Sequence, residues 1–386
     1  MTLPPHPSLK YFREILDQGE NGAIAFKLED AHSDSLAREL VAFSNSQGGL
    51  LLLGVADDKR IVGITDPGLQ EERICNIANR NVTPPIRVTV HTIEIEQKRV
   101  LWVAIPKGQD RPYQTRRSQY LIRVGSTNRT ATQGELLRLF QAAGVFHYDA
   151  TEVAGTGLGD LNLAGLDAYF RQYDFDFSAE DDKARLLRNA DLMSETGRVT
   201  VAGLMLFGIH PQRYLSFSGI SIARFVGTEI TDDLLDQQVI DGPLSQQVDA
   251  ALAVVKRNLF RPSHIEGAKT VDSCFQYPDK VFRELIVNAV VHRNYALLGS
   301  RIRILMFDDR IEFISPGRLP NSVTIDKLRV GVSCAVNPVL LKYMENLRYV
   351  DKLGRGLPMV CRTAEKAGKQ IALEEFGEEF RVVIEL

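Results

Sequence analysis

The stretch VFRELIVNAVVHRNY, residues 281–295, has the composition of a buried helix, yet Glu284, Asn288 and His292 recur in it four residues apart. At about 100° per residue, positions i, i+4 and i+8 fall on one narrow line of a helix. Apolar residues flank that line, Val287 and Val291 on one edge and Leu285 and Ala289 on the other. A solvated stripe would have charged neighbours. A carboxylate and an amide set in an apolar surface need partners, so the line is expected to face a cleft where Mg²⁺, phosphate or ordered water serves them.

Downstream, RIRILMFDDRIEFISPGRLP (301–320) reads as two strands meeting at Asp308-Asp309, the second running into a Ser-Pro-Gly turn. LRYVDKLGRGLPMV (347–360) then places Gly354 and Gly356 just before another helix, where glycines let backbone amides approach an anion at a helix N-terminus. The strand GISIARFVG (219–227), a helix over 244–259 and a closing strand FRVVIEL complete a second α+β domain.

The 386 residues, 44% hydrophobic and 25% charged, suffice for two or three globular domains. Net charge is −3, so any contact with nucleic acid must come from a local patch. The N-terminus MTLPPHPSLKYF lacks an apolar signal core, and no apolar run is long enough to span a bilayer, so the expectation is a cytoplasmic protein with no membrane contact. Cys75, Cys274, Cys334 and Cys361 form no CxxC pair and have no histidines at ligand spacing. They are expected to be buried thiols rather than disulfides or a zinc site.

In the first half, helices are expected over 8–18 and 34–46, a strand, turn and returning strand over 48–64, and a hairpin over 86–95 and 99–106. One more strand in YLIRVGSTNRTAT and a helix in QGELLRLFQAAG close an α+β domain near residue 145. A Gly-rich linker, helices over 163–172 and 180–190, and LMSETGRVTVAGLMLFG as a turn into a strand or wing suggest a small winged-helix-like connector. The expected fold class is α+β throughout. Its divisions are residues 1–148, a connector 149–214, and residues 215–386.

RPYQTRRSQYLIRVGSTNR (111–129) carries Arg111, Arg116, Arg117, Arg123 and Arg129 with no acidic residue and with Tyr113 and Tyr120 interleaved. Arginines neutralise phosphates and tyrosines offer stacking faces, so this hairpin is the candidate nucleic-acid surface; the competing reading is a solvated arginine-rich hairpin.

The phrases VNAVVHRNY, ISPGRLP, NPVLL and LGRGLPMV resemble the GHKL ATP-binding fold, in the divergent branch found in bacterial regulators, over roughly residues 215–386. The resemblance implies an α/β sandwich binding ATP with Mg²⁺. Glu284 would orient an attacking water, Asn288 would hold Mg²⁺, and Gly354, Arg355 and Gly356 would form part of the phosphate loop. Ser315, Gly317 and Leu319 stand where the family carries an adenine-binding Asp-x-Gly-x-Gly element, and Val336-Asn337-Pro338 replaces a frequent Arg-Asn-Pro. Nucleotide binding is therefore expected over efficient turnover, with at most a weak ATPase. His292 and Arg293 are either cleft residues or helix-end packing.

GENGAIAFKLED (19–30) with LARELVAFSNSQGGLLLLGVADDKRIVGI (36–64) is similar to the Schlafen AlbA-type domain, over about residues 8–140. Together the two resemblances imply the architecture of AlbA-type transcriptional regulators: a homo-oligomer that binds nucleic acid, DNA rather than RNA, under nucleotide control. Schlafen nucleases use three carboxylates around divalent metal. Here Glu20 matches the first and Asp57 the third, while the second falls on Ala25, with Glu29 as a distant substitute. A nuclease is therefore disfavoured but remains the enzymatic alternative. A third is an assembly scaffold that has lost both ligands. Longer relatives with a winged helix beyond the GHKL half would need residues past Leu386, which weakens the transcription-factor label.

Overall fold

The computed structural model describes residues 9–259, 264–266, 269–271, 277–332, 334–351 and 354–386. The chain divides into two compact units, Met1–Phe146 and His147–Leu386.

In the first unit the order is α1 (Leu9–Gln18), β1 (Ile24–Lys27), α2 (Ser33–Asn45), β2 (Gly49–Leu53), α3 (Pro67–Arg80), β3 (Val82–Thr83), β4 (Thr89–Ile95), β5 (Lys98–Ile105), β6 (Gln114–Thr115), β7 (Leu121–Val124), β8 (Thr127–Thr130) and α4 (Gln133–Ala142). Four strands form a sheet in the order β1-β2-β5-β4, with β1 parallel to β2 and the other pairs antiparallel. Leu50 to Leu53 are all buried because the sheet has a core on each face: Leu51 and Leu53 pack with α2 and α3, Leu50 and Leu52 with α1.

The expected returning strand after β2 reduces to a single bridge between Val55 and Ile61, because Gly54 turns the chain at φ +103° and its carbonyl accepts from both Val62 and Gly63. YLIRVGSTNRTAT holds two strands rather than one, β7 and β8, joined through Gly125 at φ +57°. Helix α3 was not expected from the sequence. Its signal lay in Asp66-Pro67: the Asp66 carboxylate accepts from Leu69 N at 3.1 Å, and Pro67 occupies the first turn.

The second unit continues with α5 (Leu163–Arg171), α6 (Lys183–Asn189), α7 (Val201–Phe207), β9 (Ile220–Phe225), β10 (Leu234–Ile240), α8 (Leu244–Leu259), β11 (His264–Glu266), β12 (Lys269–Val271), α9 (Asp279–Val291), β13 (Ile302–Met306), β14 (Arg310–Pro316), α10 (Ile325–Arg329), α11 (Pro338–Asn346), α12 (Gly356–Lys366), β15 (Ile371–Phe376) and β16 (Glu379–Glu385). Six strands form one sheet in the order β10-β9-β13-β14-β16-β15, antiparallel except for β9 with β13. Alternate residues Ile302, Ile304 and Met306 join the buried residues of α8, α9 and α12 in a single core, so the unit is an α/β sandwich.

The expected strand or wing in LMSETGRVTVAGLMLFG is helix α7. The Val-Thr-Val run reads as strand, but Thr200 caps a helix, its hydroxyl accepting from Gly203 N at 3.0 Å, and every residue of α7 is buried. Met193 and Val199 retain a lone bridge across the preceding turn. The segment expected as a connector shares its core with the sheet: Tyr343 of α11 donates to Ala190 O at 2.9 Å, and Asn346 donates to the Tyr169 hydroxyl at 2.9 Å. Cys361 is a buried thiol as expected; Cys75 and Cys334 are half-buried, and Cys274 lies outside the described residues. Among the described residues no helix is long and apolar enough to cross a membrane.

Candidate functional site

Helix α9 starts after Pro278, with Asp279 in its first turn, where a carboxylate complements the helix dipole. Its last turn is closed from outside: buried Asn337 donates through Nδ2 to the carbonyls of Val291 at 2.8 Å and Arg293 at 2.7 Å. Flanking Leu285, Val287, Ala289 and Val291 are buried, which leaves Glu284 and Asn288 facing a cleft between α9, β14 and the start of α12.

Asn288 Nδ2 donates to Glu284 Oε1 at 2.9 Å. The reverse orientation would set two oxygens against each other, so Asn288 Oδ1 is the atom left for a ligand. Burial raises the Glu284 carboxyl above its ordinary pKa; the Asn288 hydrogen bond and Arg283 pull the other way, and the Asp351 charge adds to the rise. Burial pushes His292, at the C-cap of α9, down to about 4, so its imidazole is neutral at pH 7.

Gly354 holds φ at +62°, a conformation glycine adopts without cost. A Cβ on Gly356 would overlap the Glu284 carboxylate, so glycine there lets α12 begin against α9 without displacing that carboxylate. No side chain caps the N-terminus of α12, and its leading amides remain open to an acceptor.

The cleft spans about 1210 Å³ counting its open mouth. Phe313, Val323, Leu328, Phe380 and Val382 supply an apolar wall. Ser315 Oγ donates to Ala289 O at 2.8 Å, so its proton is committed to α9 and it faces the cleft as an acceptor. Glu284, Asn288, His292, Ser315, Gly317, Leu319, Gly354 and Gly356 all line this one cleft. Arg293, open between cleft and helix-end packing, and Arg355, expected in the phosphate loop, do not. Arg293 is buried, donates to Leu297 O and Ser300 O at 3.0 and 2.6 Å and lies over the Tyr295 ring, which makes it helix-end packing. Arg355 lies outside the cleft and pairs with Asp351 at 2.9 Å. The apolar wall was missed in the sequence; the alternation in RIEFIS was its one visible trace.

In the first unit the arginine-rich hairpin is mostly used internally. Arg123 is a correction to the expected nucleic-acid surface: its side chain is 2% exposed, donates to Glu39 at 3.1 Å and to the carbonyls of Asn21 and Ile24, and lies over the Phe43 ring. Arg111 and Tyr113 are likewise buried, and Tyr120 is half-buried with its edge on Phe140. Arg129 pairs with Glu135 at 2.7 Å. Arg116 and Arg117 are exposed, Arg117 pairing with exposed Asp34 at 2.7 Å.

Glu20 accepts from Phe26 N at 2.8 Å, while Asp57 is exposed in the turn after β2. Ala25 lies in the core. Lys27 sits 3.9 Å from Glu20 and 3.4 Å from Glu39, placing a cation among the carboxylates. Glu29 is occupied by the backbone and hydroxyl of Thr65. Among the described residues no three His, Cys, Asp or Glu side chains gather as metal ligands.

Residues 20–132 match the family model described as "Schlafen, AlbA_2", and residues 299–384 match "Putative ATP-dependent DNA helicase recG C-terminal"; the second span takes in β13, β14, α10 to α12 and the closing hairpin but not α9. No curated protein matches the chain. Among solved structures, the DIP2311 protein of Corynebacterium diphtheriae is similar at 21% identity and TM-score 0.47, over 98% of this chain and 68% of that one. The N-terminal domain of a putative ATP-dependent DNA helicase RecG-related protein from Nitrosomonas europaea is similar at 22% identity and TM-score 0.25, over 30% of this chain and 90% of that one. The chain thus carries a Schlafen AlbA-type domain matched over residues 20–132 and a divergent GHKL-type ATPase domain matched over residues 299–384.

Proposed function

We propose that this protein is a nucleic-acid-binding regulator whose second unit binds ATP with Mg²⁺ in the α9 cleft. The two domain types are consistent with binding of nucleotide and nucleic acid. The observation that carries the reading is the Glu284–Asn288 hydrogen bond, which leaves Asn288 Oδ1 as a neutral oxygen ligand beside the open N-terminus of α12. A hard cation that keeps most of its water and phosphate ligands needs few protein oxygens of this kind. The amides of α12 and the backbone at Gly354 receive phosphate oxygens, the apolar wall receives a base, and Ser315 accepts from an exocyclic amino group. When bound, the metal neutralises phosphate charge. Glu284, with its raised pKa, accepts a proton from water, which makes slow hydrolysis the accompanying activity.

The connector relays occupancy. Asp149, fully buried, accepts from the first amides of α11, Val339 at 2.8 Å and Leu340 at 3.0 Å, and Asn337, next to α11, closes the end of α9. A shift of α9 is thereby felt at residue 149, where the linker from the first unit arrives. In the first unit the exposed pair Arg116 and Arg117 serves nucleic acid, Arg117 exchanging Asp34 for a phosphate at little cost. Fluorescence anisotropy of a labelled duplex, titrated with and without Mg·ATP, tests the reading: a nucleotide-dependent change in affinity is expected, and identical curves would overturn nucleotide control.

A further inference from the structure

A second groove lies behind the α9 cleft, shares Glu284 and Gly356 with it, and spans about 1430 Å³ counted the same way. Five cations line it from three separate segments: Lys280 and Arg283 of α9, Arg348 after α11, and Arg355 and Arg362 at α12. All five are exposed in a chain whose net charge is −3. Like charges gathered in a concavity repel one another, a cost that a solvated helix face avoids by spreading them.

Two of the cations, Arg283 and Arg355, are also held in place. Arg283 donates to Arg348 O at 3.1 Å and lies 5.0 Å from the Tyr349 ring centroid, and the Tyr349 hydroxyl is fixed by Asp249 at 2.7 Å. Three carboxylates among the described residues line the groove against the five cations: Asp351 is engaged by Arg355, Glu284 by Asn288 inside the cleft, and Glu345 pairs with none of the five within 4.0 Å. Among the described residues no carboxylate pairs with Lys280, Arg348 or Arg362 within 4.0 Å. Pre-positioned guanidinium groups with spare donors match phosphodiester oxygens, which Arg takes two at a time.

We infer that this groove is a second nucleic-acid site, in which the phosphodiester backbone of DNA or RNA lies across α9 and α12 at the back of the nucleotide cleft. The two ligands then share the wall made by Glu284 and Gly356, so nucleic acid in the groove bears on the same helix that lines the cleft.

The test uses the full chain and the variant Lys280→Ala/Arg348→Ala/Arg362→Ala, whose three positions line the groove and not the cleft. Thermal melting confirms that the variant folds. A labelled 20-nucleotide oligonucleotide, single-stranded, is titrated in the absence of nucleotide at several salt concentrations. The expected result is a loss of affinity on the order of tenfold and a salt slope shallower by about 2 for three lost phosphate contacts on a single strand. Calorimetry should show Mg·ATP affinity unchanged. Unchanged nucleic-acid affinity and slope would overturn the inference, and so would a loss of Mg·ATP affinity alone, which would make the groove the resting place of the nucleotide's own phosphate tail. Loss of nucleic-acid affinity in the variant together with no Mg·ATP binding by the wild-type chain would instead contradict the cleft reading and leave the groove standing, so the two fail separately.

Discussion

Glu284 and Asn288, one turn apart on α9, are joined by a 2.9 Å hydrogen bond in which the amide donates and the carboxylate accepts. The bond fixes Asn288 with its oxygen free and holds Glu284 in a buried position that raises its pKa. Any hydrolysis should therefore rise with pH above the ordinary carboxylate range, because only the ionised Glu284 accepts a proton. Glu284→Gln should retain nucleotide binding and lose turnover by about 10²-fold or more. A pH–rate profile of phosphate release checks both; turnover unaffected by the variant contradicts the role.

Gly356→Ala separates geometry from stability. The added Cβ overlaps the Glu284 carboxylate, which can move because it is the end of a flexible side chain. The displaced carboxylate releases Asn288. We expect Mg·ATP affinity to fall by about tenfold or more, a loss on the order of 1.4 kcal/mol, with little change in melting temperature. Intact affinity in a folded variant would show that the Glu284–Asn288 bond does not position the site.

Arg123→Met should unfold the first unit more readily rather than merely weaken nucleic-acid binding. It leaves Glu39, whose side chain is 8% exposed, with Lys27 as its remaining ion-pair partner. Breaking a buried pair from one side costs about 3–5 kcal/mol when the remaining charge is left uncompensated, and the retained Lys27 contact puts the expected loss at the lower end of that range. Denaturant titration reads this directly. Full stability together with lost nucleic-acid affinity would restore Arg123 to the binding surface.

Asp149 tests the relay. Burial raises its carboxyl pKa against the pull of the Val339 and Leu340 amides. A carboxyl raised in the folded state binds its proton more tightly there than in the unfolded chain, so it withdraws stability as pH rises above its ordinary value near 3.8. Asp149→Asn keeps the accepting oxygen and removes the charge, and should be neutral or stabilising at pH 7. Asp149→Ala leaves the α11 amides open and should cost about 1–2 kcal/mol. Melting temperatures across pH distinguish the two; equal losses in both variants would show that the charge itself holds α11.

Much of the site was legible because helical period is a strong signal. Glu284, Asn288 and the Gly354–Gly356 pair were marked by spacing alone, and the alternation in 301–316 gave β13 and β14. What the sequence concealed was tertiary. An arginine in a polar hairpin reads as exposed, and nothing local shows that Arg123 turns inward to meet Glu39 on α2, 84 residues earlier. Arg293, which the sequence left open between cleft and helix-end packing, is decided by acceptors equally invisible locally, the loop carbonyls at 297 and 300. The run Val199-Thr200-Val201 favours strand by propensity, and burial on every side together with the Thr200 cap decided for helix. The basic groove is assembled from three segments that are far apart in sequence, so no window of residues displays it.

The most direct test of the central claim is calorimetric titration of Mg·ATP into the wild-type chain and into Asn288→Ala. The account predicts saturable binding to the wild type that is lost in the variant at unchanged melting temperature. Equal binding by both, or none by the wild type, would contradict the assignment of the α9 cleft as a nucleotide site.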